Sequence, residues 1–526
     1  MKKIKETFAK NIFNLMMSQV IIKILGLIYK LYITNKEGFG DLGNAISGAS
    51  FQIYALVLSV TAIGIPSSIA KLVAQRSSLG DHKGAHKIFK LSLLLFGTIG
   101  IIASYLMCFG AETIAKNYLK IDEAKLSIIA LSPSIFLVSL TSVFKGYFNG
   151  RESMKITSTA QSNDQVAKTL SAIILIELSI FITKKNNTVL MATLSNFATT
   201  IGNLIELIYF YKKYKQYQTE LNEEIFFSVN TEKKRIVTII KEIMKYAMPI
   251  SLSAIIMSIS RSIDSVTIVN DLKDILGYEM AKKEYGILSG KIDTLINFPL
   301  SFGMAISGAL LPTIAMYRKN LKLKEKRINQ SIIIEMLIAI PTVAIYFTYA
   351  NEILTILFPK ASGGAELLKI SSFSIIFLIL EGIMTTILNG IGNVFTPIKA
   401  TLAGAIIKLL LNKILIKKVD FIFGGTKGAA IATLICHIVT CLILIIEVKR
   451  KTKINIYLKK NLLILIIVAS IAILSKTVCS ILENYISIKL SLIICFIISI
   501  VCLIALIFKL KILSIKDITN MIKNRK

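Results

Sequence analysis

Charge is scarce in this sequence: Asp, Glu, Lys and Arg make up 18% of its 526 positions. Soluble domains carry about one quarter, so a string of ordinary water-soluble domains is excluded. Histidine is nearly missing, at three residues. No phosphate loop, Gly-x-Ser-x-Gly elbow or His-Glu-x-x-His helix occurs, and no enzyme activity is expected. His82 and His86 have the i,i+4 spacing of a metal pair. They stand in a short basic segment with no third ligand evident in the sequence, so neither a metal nor another cofactor is expected. The six cysteines, Cys108, Cys436, Cys441, Cys479, Cys495 and Cys502, all fall in or at the ends of apolar segments without a CxxC pair. They read as small buried apolar residues rather than disulfides or ligands.

What fills the chain instead is hydrophobic: 54% of residues, with a mean hydropathy of +0.68. The apolar residues come in runs of roughly 20, the length that crosses a bilayer, separated by short basic segments. The first run follows a basic N-terminus, is too long for a signal-peptide core, and precedes no small-residue cleavage site, so it reads as a retained helix. Expected helices cover 11–34, 46–75, 88–108, 126–148, 165–183, 189–211, 237–269, 285–317, 328–350, 365–388, 397–416, 428–447, 461–482 and 488–508. The fold class is therefore an all-α integral membrane protein of about fourteen transmembrane helices.

The formal net charge of +31 sits in the connections between apolar runs. No separate basic domain exists, and aromatics are not interleaved with the basic runs, which argues against a nucleic-acid partner. With the N-terminus inside, roughly 35 basic residues fall on the inner side against about 14 outside. Both termini are expected to face the cytoplasm across the cell membrane, whose lipids are the surrounding partner.

The longest polar stretch, 212–236, reads as a cytoplasmic linker and divides the chain into 1–211 (helices one to six) and 237–448 (helices seven to twelve). Residues 449–526 hold two further helices and a basic tail. The halves repeat. Asn149-Gly150 and Asn389-Gly390 end corresponding helices at an offset of 240, and Lys168 matches Lys408 at the same offset. Pro66 finds a counterpart in Pro312 at an offset of 246. Six helices per unit make these parallel repeats, which places a substrate path between them.

Ionisable groups at bilayer depth cost at least about 2.5–3.5 kcal/mol each and ask for a reason. Lys23 and Lys30 lie seven residues apart on nearly one face of the first helix. Arg261 and Asp264 are i,i+3 in the seventh, close enough to pair. Lys291 and Asp293 enter the eighth helix, Glu177 lies in the fifth and Glu381 in the tenth. Lys23, Lys30, Arg261 and Lys291 suggest a cationic, hydrated cavity that receives a negatively charged group, diphosphate above all. Asp264, Asp293 and Glu381 are candidates for coupling or charge pairing, with Na+ or H+ as the conceivable coupling ion. Pro66, Pro249, Pro299, Pro312 and Pro341 interrupt helices, while Gly64, Gly150, Gly286, Gly290, Gly303, Gly308 and Gly390 permit close contact or hinging.

Several blocks in order carry a family resemblance: "IKILGLIYKLYITNKEGFG", "GIPSSIAKLVAQ", "FKGYFNGRESM", "DQVAK", "MPISLSAIIMSISRSIDS", "YGILSGKIDTLINFPLSFGMAISGALLPTIA", "ILNGIGNVFTPIKATLAGAIIKLLLN" and "GTKGAAIATLI". The chain resembles the stage V sporulation protein B and MurJ-like branch of the multidrug/oligosaccharidyl-lipid/polysaccharide exporter superfamily, up to about residue 450. The resemblance implies two six-helix lobes in a V that open alternately to the two sides, the last two helices being extra. It implies transport of an undecaprenyl-diphosphate-linked sugar such as lipid II, driven by an ion gradient or the membrane potential. Lys23 fills a basic position that matters in those relatives. Tyr29 stands where another would be, one residue before Lys30. The acid-arginine pair of the eighth helix reads Asp293-Thr294 here, with Lys291 nearby as a substitute, and Ile156 replaces a usual proline. These departures point to the sporulation-type branch. The runner-up reading is an ion-coupled drug/cation antiporter of the same superfamily, and a third is a membrane scaffold docking envelope-synthesis enzymes.

Overall fold

Long apolar runs with no water to satisfy their backbone must close their hydrogen bonds internally, and a helix does so residue by residue. The computed structural model describes residues 8–229, 235–301, 303, 321–422, 424–452, 458–482 and scattered positions from 484 to 506. Among these, regular structure is entirely helical, and ten helical stretches are long and apolar enough to cross a membrane. The chain is thus an all-α multi-span membrane protein, as its composition required. Pro312 and the basic tail lie outside the described residues.

The first half contains α1 (Phe8–Thr34), α2 (Gly40–Thr61), α3 (Ile65–Ser78), α4 (His82–Phe109), α5 (Ala124–Gly150), α6 (Met154–Thr183) and α7 (Thr188–Gln216). A short helix, α8 (Gln218–Phe226), follows within the expected linker. Then come α9 (Ile236–Leu276), α10 (Tyr278–Gly286), which continues as a π-helical turn Ile287–Ile292, α11 (Leu321–Thr348) and α12 (Ala350–Leu357). The remainder holds α13 (Ala365–Ser372), α14 (Ser374–Gly390), α15 (Phe395–Leu415), α16 (Thr426–Thr452) and α17 (Leu458–Leu482).

Helix ends follow local chemistry. Asp81 caps α4 by accepting from the Gly84 N–H at 2.7 Å, and Asn187 caps α7 through Leu190 N–H at 3.0 Å. Each satisfies an amide that the first turn leaves without an intrahelical partner. The expected second helix is two: the chain breaks at 62–64, and Pro66 sits in the first turn of α3. A proline there loses no hydrogen bond, because that amide has no partner in any case. Pro249 and Pro341 do stand inside helices, in α9 and α11. Gly277, at φ +82°, turns the chain from α9 into α10.

Contacts group the chain into two units, Met1–Lys291 with Ala405–Ala429, and Ile292–Gly404 with Ala430–Lys526. In the first, α3, α4, α5, α7, α8 and α9 share an aromatic core in which Phe89 lies 4.4 Å from Tyr147. Helix α8 is tied to it by buried Leu221 and by the Arg151–Glu224 ion pair. His82 lies 3.8 Å from Glu224, and His86 stacks on Tyr214. Gly150, at the end of α5, comes so close to α3 that a Cβ there would lie 2.7 Å from the Ala70 carbonyl oxygen. In the second unit, α11 packs against α13, α14 and α17, and Tyr349 donates to Ser475 at 3.0 Å.

Candidate functional site: buried charge in the spanning helices

Lys23 of α1 is half-buried, and its electrostatic neighbour is Arg261 of α9, which is exposed. Two cations on different helices therefore lie within each other's electrostatic range. Among the described residues, no carboxylate lies within ion-pair distance of Arg261. The i,i+3 partner expected for it, Asp264, is engaged elsewhere: its carboxylate accepts from Lys408 Nζ at 2.7 Å and from Asn412 Nδ2 at 2.9 Å. Asn412 also reaches Thr267 Oγ1 at 2.9 Å, so α9 and α15 are joined by a polar cluster in the first unit.

Lys291 is fully buried, 0% exposed, in the π-helical turn after α10. Its Nζ lies 2.9 Å from Oδ1 and 3.1 Å from Oδ2 of Asp41, near the start of α2. Lys30 contributes to the field at the same carboxylate. Small residues create this enclosure. A Cβ on Gly286 would lie 1.8 Å from the Asp41 carbonyl oxygen, and one on Gly290 would lie 2.4 Å from the Asn44 side chain. Backbone thus meets backbone along α2 and α10, as small-residue interfaces in membranes allow. Nearby, Lys282 binds Glu123 at 2.6 Å and Tyr278 donates to the same carboxylate at 2.9 Å.

A second polar region of this unit was missed in the sequence. Glu206 of α7 is 1% exposed and pairs with Lys145 of α5 at 2.9 Å. Asp164 of α6 lies in the field of that pair, and Lys168, one turn on, lies in the field of Asp164 and sits over the Phe51 ring at 5.1 Å. Glu177 is held near the C-terminal end of α6 by Lys36 and Tyr32.

In the other unit, Glu381 of α14 meets His437 of α16, Oε1 to Nδ1 at 3.0 Å. Asp293 is half-buried on the helical stretch after the π-turn, where its main-chain oxygen accepts from Asn297 at 2.7 Å. Pro299 is buried on the same stretch. Gly390 ends α14, where Asn393 caps α15 through the Thr396 N–H at 3.4 Å. All six cysteines carry free thiols.

The model of the polysaccharide biosynthesis protein family matches residues 8–318, more than half of the chain. The chain belongs to that family. A second model, MatE, matches residues 288–414 of this family member. Among curated relatives, stage V sporulation protein B of Bacillus subtilis (strain 168) is 24% identical over 92% of this chain and 90% of its own. The lipid II flippase MurJ of the same organism is 26% identical over 90% of this chain and 89% of its own. Among solved structures, lipid II flippase MurJ in an inward closed conformation superposes with a TM-score of 0.67 at 16% identity, covering 93% of this chain and 97% of that one. An inward-facing multidrug-resistance transporter of the MATE family gives 0.65 at 16% identity over 83% and 94%. These establish a shared fold with multi-span transporters, and the relatives named are transporters rather than enzymes.

Proposed function

We propose that this polysaccharide biosynthesis protein is a flippase that moves an undecaprenyl-diphosphate-linked sugar, lipid II or a related envelope precursor, across the cytoplasmic membrane by alternating access. The observation that carries the reading is that Lys23 and Arg261 lie in each other's field, with no carboxylate among the described residues in ion-pair distance of either. Such a pair repels itself until an anion arrives, and a diphosphate offers each cation oxygens for charge-assisted hydrogen bonds. Lys30 and Lys291 lie further along α1 and α10, with Asp41 beside them as a counterion. In this scheme residues 1–211 and 237–448 act as the two lobes, both termini face the cytoplasm, and Pro66, Pro249 and Pro299 supply the bends. The names of the flippase and sporulation relatives support a lipid-linked substrate. The MatE match over residues 288–414 favours a second reading, a drug/cation antiporter.

The test is complementation in cells depleted of their own lipid II flippase, scoring growth and externally accessible lipid II together. Restoration of both, lost again in Lys23→Ala and Arg261→Ala, is the expected result. Failure by membrane-inserted protein would move the substrate to another glycan lipid or to a cation. Cysteines placed at the exposed positions Ser362 and Gln218 should label from outside and inside respectively. The opposite pattern would overturn the orientation.

A further inference from the structure

His437 is the one histidine of the chain away from the His82–His86 turn, and it falls near the middle of the apolar span Thr426–Thr452. Its Nδ1 lies 3.0 Å from Glu381 Oε1, and the two side chains are only 20% and 13% exposed. Both helices lie in segments long and apolar enough to cross the bilayer. No lysine or arginine among the described residues forms an ion pair with Glu381, so its charge is answered by an imidazole. That differs from every other carboxylate pair on a spanning helix described above. There a lysine is the partner, Lys145, Lys36, Lys291 or Lys408, whereas an imidazole ordinarily gains and loses its charge between about pH 5 and 8.

The surroundings leave the pair to set its own charge. On α16, Cys441 lies one turn from His437 and within the field of Glu381. Buried Glu335 of α11 and Ile379 of α14 both border Gly303, where a Cβ would lie 3.6 Å from the Glu335 carboxylate and 3.3 Å from the Ile379 side chain. The charged groups of α13, Glu366 and Lys369, pair with each other at its exposed outer end. Helix α15 packs on α16 through Gly404, where a Cβ would lie 2.3 Å from Thr440 Oγ1. Of its lysines, Lys399 and Lys413 are exposed, and Lys408 is bound by Asp264.

We propose that Glu381 and His437 form a proton-binding site within the bilayer, with H+ as its ligand. One proton from water bonds to the neutral imidazole, and the pair passes from net charge −1 to 0. Loss of that proton returns a lone carboxylate to a medium that disfavours it. Loading therefore determines which positions of α14 and α16 are tolerated, and this makes H+ the coupling ion of the transport cycle. The link to transport rests on the reading above, whereas the protonation does not.

The experiment uses full-length protein in lipid nanodiscs, labelled with 15N-histidine and followed by NMR from pH 5 to 8 without substrate. Three imidazoles are present, and His437→Gln identifies the third by its loss. The His437 resonance should titrate within this range, and the conservative Glu381→Gln should move its midpoint down by about one pH unit or more, because the carboxylate that favours imidazolium is gone. A resonance locked in one charge state, or a midpoint unmoved in Glu381→Gln, would overturn the site. Proteoliposomes then read coupling: an imposed proton gradient should change the flipping rate of fluorescent lipid II several-fold in the native chain and not in Glu381→Gln. Equal rates with and without the gradient, alongside a normal titration, would overturn the coupling role. No flipping under any condition, alongside a normal titration, would sink the lipid II reading and leave the proton site standing.

Discussion

Two regions of the first unit treat positive charge in opposite ways. Between α9 and α15, and between α2 and the turn after α10, each lysine meets an acid: Lys408 with Asp264 at 2.7 Å, Lys291 with Asp41 at 2.9 Å. Between α1 and α9, Lys23 lies in the field of another cation, Arg261. The neutralised pairs hold helices together, and removing one partner strands a buried charge. The like-charged pair holds nothing together and costs stability while it stands. A group retained against its own contribution to stability is one that does something else.

The comparison separates stability from activity, and the largest expected effect lies on the stability side. Lys408→Ala leaves Asp264 without its cation and should destabilise the protein by about 3–5 kcal/mol. Thermal denaturation in nanodiscs measures this, and pairing the change with Asp264→Asn should recover much of the loss. A native melting curve for Lys408→Ala would break the distinction. Next, Lys23→Ala should cut flipping roughly ten- to 100-fold, the worth of about 1.5–3 kcal/mol from a charge-assisted bond. Its thermal stability should equal or exceed that of the native chain, and Lys23→Arg should be milder. A stability loss matching the activity loss would make Lys23 a structural residue. Third, Gly286→Ala forces a methyl group against the Asp41 carbonyl and should cost about 1–3 kcal/mol, read by the same melting curves. A neutral result would show that α2 and α10 part more readily than their contacts imply.

The smallest effect concerns Glu123, in the connection before α5. Burial alone would raise its carboxyl, but Lys282 and Tyr278 hold it below the usual value of 4.5. A carboxylate with a depressed native pKa stabilises above its ordinary value, and the contribution fades as pH falls through the native one. Glu123→Gln should therefore lower stability at pH 7 by roughly 0.2–1 kcal/mol and converge with the native chain under acid conditions.

Much of this architecture was legible in the sequence because the bilayer imposes a length. Runs of about 20 apolar residues mark spans whatever they pack against. The 62–64 break was hidden, since Pro66 reads as a mid-helix kink unless one knows that a new first turn starts beside it. Charges were legible as a set but not as pairs. Asp264 was matched to Arg261 by spacing along one helix, while its cation comes from Lys408, a distant segment seen only as a repeat marker. Asp41 reads as part of a solvated loop, yet α2 begins at Gly40 and buries it. His437 escaped because imidazole scores as weakly polar. A histidine amid "TLICHIVTCLILII" was signal enough to ask for its partner.

The repeat itself shows divergence of a single role. Lys168 and Lys408 occupy matching positions, but the first has its acid, Asp164, one turn away on its own helix, and the second takes Asp264 from another helix. One lysine decorates a helix and the other staples two.

The close approach of α2 and α10 has a further outcome for the cell. Gly286 lies directly against the Asp41 carbonyl, and Gly290 is filled by the Asn44 side chain, so an added methyl group has no room at either position. Close packing of this kind leaves no room for a file of water at these two positions. Tight seams of this kind are what a multi-span membrane protein needs to stay electrically sealed.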